Sequence, residues 1–334
     1  PWTRGIEQNA IITLTSPTGG AHLVSGFGDI AGFRHDDFTT SPPHVHTNPY
    51  LTNTNTLDYA GRAPQIMVRS GSRHTRIVPG ASLAWSGDGG ISWQPLTAPP
   101  DPPRSDMSPT PAQTGDAAIT VSADGQTFLV ELDRPAITRD RGQTWQVVAG
   151  LPARTRVAAD KVDAARFYAI DFSANRLVRS DDGGATFKPV TGDGLPADLS
   201  TARVTWREAQ NPLVTTPGRA GLLWLNVGGA LYRSADGGER WTRTGAGLDV
   251  RYYGLGKAAP GADWPALYAI GTLGERDAIW RSVDGGESWA RINDDRHQWG
   301  MRFRVISGDP RLFGRVYLGT DGRGLLYGDP RPTE

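Results

Sequence analysis

The chain has no cysteine, which excludes disulfide bridges and thiol chemistry and leaves the redox compartment open. It has no excess of either charge, with Lys plus Arg and Asp plus Glu both at 35. That balance gives no reason to expect nucleic acid or an anionic membrane as partner. No stretch approaches the roughly 20 apolar residues of a membrane-crossing helix, and no long helical apolar period occurs, so helices are expected to be minor. The first residues, Pro1-Trp2, show neither an initiator Met nor a signal-like run, so a processed product or a piece of something longer is expected. Gly (42) and Pro (25) are abundant beside 38% hydrophobic residues, a composition suited to many turns around a sizeable core.

Five copies of one eight-residue pattern run along the chain: Ser86–Trp93, Thr138–Trp145, Ser180–Phe187, Ser234–Trp241 and Ser282–Trp289. Each reads Ser/Thr-x-Asp-x-Gly-x-x-Trp/Phe, with Gly at the fourth place except at Arg141. This is the Asp-box. Its aspartates Asp88, Asp140, Asp182, Asp236 and Asp284 recur at 52, 42, 54 and 48 residues. A period of roughly 40–50 residues with strand-turn-strand content marks a β-propeller. At that spacing the chain holds seven blades, so the fold class is all-β, a seven-bladed propeller over residues 1–334. The Asp-Gly-Gly run suits a tight turn, because a short carboxylate accepts turn amides and Gly tolerates positive φ. The aspartates are therefore read as structural, and the closing aromatic as a wedge between sheets. Arg141 predicts a slightly altered turn. The late strands near Arg315–Gly319 and Gly324–Tyr327 are expected to pair with an N-terminal strand within residues 1–20 and so close the ring.

Chemistry is expected before the first box, in Ser25-Gly-Phe-Gly-Asp-Ile-Ala-Gly-Phe-Arg-His-Asp-Asp37. Gly26, Gly28 and Gly32 leave backbone room around Asp29 for a bulky ligand to approach one carboxylate. Arg34, His35, Asp36 and Asp37 crowd charge into the same stretch, where a carboxyl's protonation can be tuned. The alternative is a loop with an Asx-turn aspartate.

This segment resembles the active-site loop of glycoside hydrolase family 74, the xyloglucan-cleaving endoglucanases and oligoxyloglucan hydrolases. Ala31 stands where that family usually has Gly. Asn48-Pro-Tyr50, Asn53–Asp58, Gly256–Gly261, Pro265–Gly271, Arg291–Asp295, His297–Gly300, Gly308–Pro310 and Gly322–Asp329 extend the resemblance over essentially the whole chain. The family pairs two seven-bladed propellers across a cleft, so the resemblance implies the C-terminal propeller, entered through a former linker at Pro1–Glu7. It implies inverting cleavage of β-1,4-glucan backbones, with Asp29 as general acid and the base on the N-terminal propeller, which this chain lacks. It further implies xyloglucan or its oligosaccharides as ligand, secretion or a periplasmic site, no cofactor, and an isolated propeller that is nearly inactive. Endo or exo action stays open.

A neutral polysaccharide calls for aromatic platforms and hydrogen bonds. Trp299 and Tyr253 are the candidate platforms, with Tyr252 and Trp206 behind them; Arg34 and His35 are candidate sugar contacts, and Asp36 and Asp37 candidate neighbours of the acid. Trp224 and Trp280 sit in apolar strand patterns and are expected in the core. Rival chemistries fit less well. His44-Val-His46 lies beside Ser41-Pro-Pro43 without a metal-ligand spacing, so no metal is expected. Arg76-Ile-Val-Pro79 departs from the sialidase pattern by one residue. A non-catalytic propeller that binds glucan or a protein partner is the main competing reading.

Overall fold

The computed structural model describes residues 9–72, 82–97, 99, 117–202, 210–297 and 303–330. Within them, 26 strands form seven antiparallel sheets taken in strict chain order. Blades 2 to 6 span residues 53–95, 119–147, 157–189, 213–244 and 249–291 and have four strands each. Blade 1 (11–35) and blade 7 (303–328) have three. A 3₁₀ turn at Ser200–Ala202 is the one helical element among the described residues, and no helix there is long and apolar enough to cross a membrane.

The core is divided. Seven clusters of buried apolar side chains each straddle one seam between neighbouring sheets. The box aromatics fill five seams: Trp93 lies between blades 1 and 2, and Trp145, Phe187, Trp241 and Trp289 occupy the next four in turn. Trp224 and Trp280 are buried as the strand pattern predicts. The seam between blades 7 and 1 closes by packing of Ile11, Leu23 and Phe27 on Val305 and Tyr317. Residues 1–8 of the segment expected to hold the closing strand lie outside the described residues. Ile11–Thr15 pairs with Leu23–Phe27 as the inner strand of blade 1, and the only described pairing to blade 7 is the Ala10–Asp321 bridge. The Gly322 and Gly324 amides add bonds to the Asn9 carbonyl.

Each box joins the third and fourth strands of its blade. The Ser180 hydroxyl donates to Asp182 at 2.7 Å and accepts the Gly184 amide at 2.9 Å, while Asp182 accepts the Thr186 amide at 2.9 Å. The other boxes repeat this geometry, and hydrogen bonds hold Asp140 and Asp284 down to about 2. Arg141 does not alter its turn: it takes φ 60° where Gly89, Gly183, Gly237 and Gly285 take 71–77°. Its guanidinium sits over Trp85 of blade 2 and donates to the Gly125 carbonyl.

Arginines cross the seams in a regular way. Arg34, Arg139, Arg179 and Arg233 each donate to the carbonyl of the first glycine of the Gly–Gly pair in the following blade's box: Gly89, Gly183, Gly237 and Gly285. Arg281 of blade 6 lies over Phe313 of blade 7, and Arg311 of blade 7 donates to the Gly20 and Ala21 carbonyls of blade 1.

Candidate functional site

In an antiparallel blade, successive turns alternate between the two faces of the ring. The boxes, between third and fourth strands, therefore lie on one face. Asp29 lies on the other, in the turn between Leu23–Phe27 and Gly32–His35.

That turn is strained and tightly held. Asp29 has φ 71° and Ala31 φ 63°, left-handed values that cost a non-glycine residue on the order of 1 kcal/mol. Ala31 is fully buried, and its positive φ explains why Gly suits this place. The Asp29 amide donates to Asn53 Oδ1 at 2.8 Å, the Tyr50 hydroxyl to the Asp29 carbonyl at 3.3 Å, and the Ala31 amide to the Thr52 carbonyl at 3.0 Å. The Asp29 side chain itself is exposed and makes no hydrogen bond or ion pair among the described residues. It is a carboxyl presented to solvent on a fixed backbone, open to the approach of a ligand.

The charged residues that follow do something else. The run Arg34-His35-Asp36-Asp37 ends the strand Gly32–His35, with Asp36 and Asp37 beyond its far end, about 13 Å along at ~3.3 Å per residue. It copies the box of blade 4. Arg34 Nε donates to Asp36 at 2.8 Å as Arg179 Nε does to Asp181 at 3.0 Å, and both arginines reach the next blade's box. Asp37 accepts the Thr39 amide as a box aspartate accepts its own turn. Blade 1 thus carries a box-like turn that keeps the aspartate but lacks the opening Ser or Thr, the Gly-Gly and the closing aromatic. Asp36 and Asp37 are not neighbours of Asp29, and Arg34 is engaged within the scaffold.

His35 is buried and bonded to the Ser25 hydroxyl at 2.7 Å; burial depresses it to about 4. It is a neutral packing residue, not a sugar contact. Tyr253 is 1% exposed, and its hydroxyl donates to the Pro212 carbonyl at 2.7 Å. It belongs to the seam between blades 5 and 6, which corrects its reading as a platform. Trp299 and Trp206 lie outside the described residues. His44 is exposed while His46 is buried against Ser25 and Trp93. No group of three His, Asp or Glu among the described residues is placed to hold a metal.

A cavity of about 230 Å³ runs down the axis, walled by the inner strands of all seven blades. Its Asp58 is saturated by the Lys161 ammonium, the Thr120 hydroxyl and the Tyr59 and Val121 amides. Glu131 is buried there, which raises it to about 7 against the opposing pull of Arg156 and the Val157 amide. The sequence reading missed Asn53 and Tyr50 as supports of the turn, and it could not have found Glu131, which stands in no motif.

Comparison with known proteins covers nearly the whole chain. It is 36% identical over 336 residues to a xyloglucanase of a Paenibacillus species, matching 98% of this chain and 30% of that protein. It is 37% identical over 351 residues to a probable oligoxyloglucan-reducing end-specific xyloglucanase of Neosartorya fischeri, matching 98% and 41%. The fold superposes on the crystal structure of the GH74 xyloglucanase from Xanthomonas campestris with TM-score 0.82 and 37% identity, covering 98% of this chain and 44% of that one. The chain therefore spans about a third to under half of the length of these relatives. A structure of YCF48 bound to D1 peptide shares the fold alone, at TM-score 0.58 and 14% identity. No protein-family model matches.

Proposed function

The chain belongs to glycoside hydrolase family 74, and from that premise we propose that it forms one wall of a cleft that cleaves the β-1,4-glucan backbone of xyloglucan, with Asp29 as general acid. The observation that carries the reading is the Asp29 carboxyl, exposed and unpartnered among the described residues on a strained turn opposite the boxes. An acid of this kind protonates the departing glycosidic oxygen, a step worth roughly 10²–10⁴-fold in rate.

Inverting cleavage needs a second carboxylate roughly 6.5–9.5 Å away, across the scissile bond. Asp36 and Asp37 stand at the other end of the blade, and Asp58 is consumed by four hydrogen bonds. The family resemblance places the base on an N-terminal propeller of the same precursor, and on that reading the isolated chain is expected to be nearly inactive. Xyloglucan is an extracellular polymer, so a secreted or periplasmic enzyme follows.

The test is reducing-sugar release from xyloglucan by the full-length protein, by this chain alone and by full-length Asp29→Ala. Activity confined to the intact wild type, with a loss of ~10² or more in the variant, is expected. Full activity in Asp29→Ala refutes the assignment. Sugar binding without turnover by the full-length protein would favour the non-catalytic reading.

A further inference from the structure

Among the described residues Asp29 has no side-chain partner to orient it, so there its carboxyl direction is set by its backbone. That backbone is held in a left-handed conformation by one neighbouring segment, residues 50–53. Asn53 fixes the amide of Asp29 and Tyr50 its carbonyl, at 2.8 and 3.3 Å. The segment is in turn anchored from below. Arg69 is 0% exposed and donates from Nη2 to the carbonyls of Thr47 at 2.9 Å and Pro49 at 2.6 Å. Its remaining donors, Nε and Nη1, are buried and have no hydrogen-bond partner among the described residues, and the guanidinium lies 4.7 Å from the Trp93 ring centroid. A cation without a counter-ion or full solvation is expensive to keep in a core, and its described polar contacts are these two carbonyls of the loop.

We infer that Asn53 and Tyr50, with Arg69 beneath them, are positioning residues that aim the Asp29 carboxyl through its main chain. None need touch the sugar. The inference rests on Asp29 being the acid. Its consequence is specific: loosening the turn weakens proton delivery while leaving substrate binding and the base intact, because a misplacement of about 1 Å costs on the order of 10²-fold.

The experiment uses the full-length enzyme and two substrates, xyloglucan and an aryl glycoside of a xyloglucan oligosaccharide whose phenol leaves without protonation. Variants are Asn53→Ala, Asn53→Asp, which keeps the acceptor, Tyr50→Phe, a mild change at an exposed side chain, and Asp29→Ala. The expected result for Asn53→Ala is a ~10- to 100-fold fall in kcat on xyloglucan, unchanged KM, and less than threefold loss on the aryl glycoside. Tyr50→Phe should show the same split more weakly, and Asn53→Asp should recover most of the rate. Equal losses on both substrates, a rise in KM alone, or no loss would overturn the inference. If Asp29→Ala itself retains activity on xyloglucan, the acid assignment fails first, and the two failures are told apart by that arm.

Discussion

The five boxes provide a stability experiment with internal replicates. In each, the Ser or Thr hydroxyl is buried and supports the turn twice, donating to the aspartate at 2.7–2.9 Å and accepting the second turn amide at 2.8–2.9 Å. Ser180→Ala removes the acceptor of the Gly184 amide, which sits in the interior at the seam between blades 3 and 4. Leaving one buried donor unmet costs about 1–3 kcal/mol. The aspartate keeps its bond from the Thr186 amide, so the turn should loosen without being lost. Ser86→Ala, Ser234→Ala and Ser282→Ala should cost about the same, since their geometry is the same. Pairs in separate blades should add, because their sites share no partner, and a double variant then removes a large share of a typical total of roughly 5–15 kcal/mol. Urea unfolding followed by tryptophan fluorescence measures the loss. Ser180→Thr should be nearly silent, as Thr138 already fills that place. Since the boxes lie on the face away from Asp29, each single variant of the full-length enzyme should keep wild-type turnover below its melting range. A Ser→Ala cost under ~0.5 kcal/mol, or a tenfold loss of turnover in a folded variant, would refute the reasoning.

Tyr253→Phe should weaken the fold by about 1 kcal/mol through the lost bond to Pro212 and leave affinity for xyloglucan oligosaccharides unchanged by calorimetry; a tenfold loss of affinity at unchanged stability would restore it as a platform. The chain should lose stability as pH falls from 6.5 toward 4.5. His35 and His46 are buried neutral, at about 4 and about 3, so the unfolded chain takes up their protons first. Glu131, at about 7, acts the opposite way, its contribution being full below 4.5 and lost as pH rises through 7. Two imidazoles against one carboxyl leave a net slope of about 1.4 kcal/mol per pH unit. Urea midpoints across this window should fall with pH, more steeply in Glu131→Gln; a flat or rising profile contradicts it.

What could be read in advance was whatever repeats or is local. The box spacing yields seven blades because each copy is one blade's third turn, and the Asp29 turn is visible because glycines and an aspartate sit within eight residues of one another. The charged run Arg34–Asp37 misled for the same reason, since nearness in sequence suggested nearness in space. A strand intervenes, and it carries the run to the opposite face. Comparison with Arg179–Asp182 would have shown that its Arg-x-Asp-Asp matches the entry to a box turn. Tyr253 was misjudged because Tyr-Tyr-Gly looks loop-like, whereas it lies within the strand Asp249–Gly256. Pairings such as Asn53 with Asp29 join residues 24 apart and leave no local pattern. Arg69 is harder still, since a buried guanidinium is seldom expected in a strand.

The arginines that cross the seams run mostly one way, from a blade to the box that follows it. A blade is therefore not an interchangeable tile: it carries half of its own joint and half of its neighbour's. The unit of exchange is offset from the sheet by one turn. A blade lifted out along its sheet boundaries would strand a guanidinium on one side and bare a carbonyl on the other. One cut from box to box would take its clasp along. Blade transplants, duplications and circular permutations of this ring should be designed to that offset frame, with the break placed inside a blade and not between two.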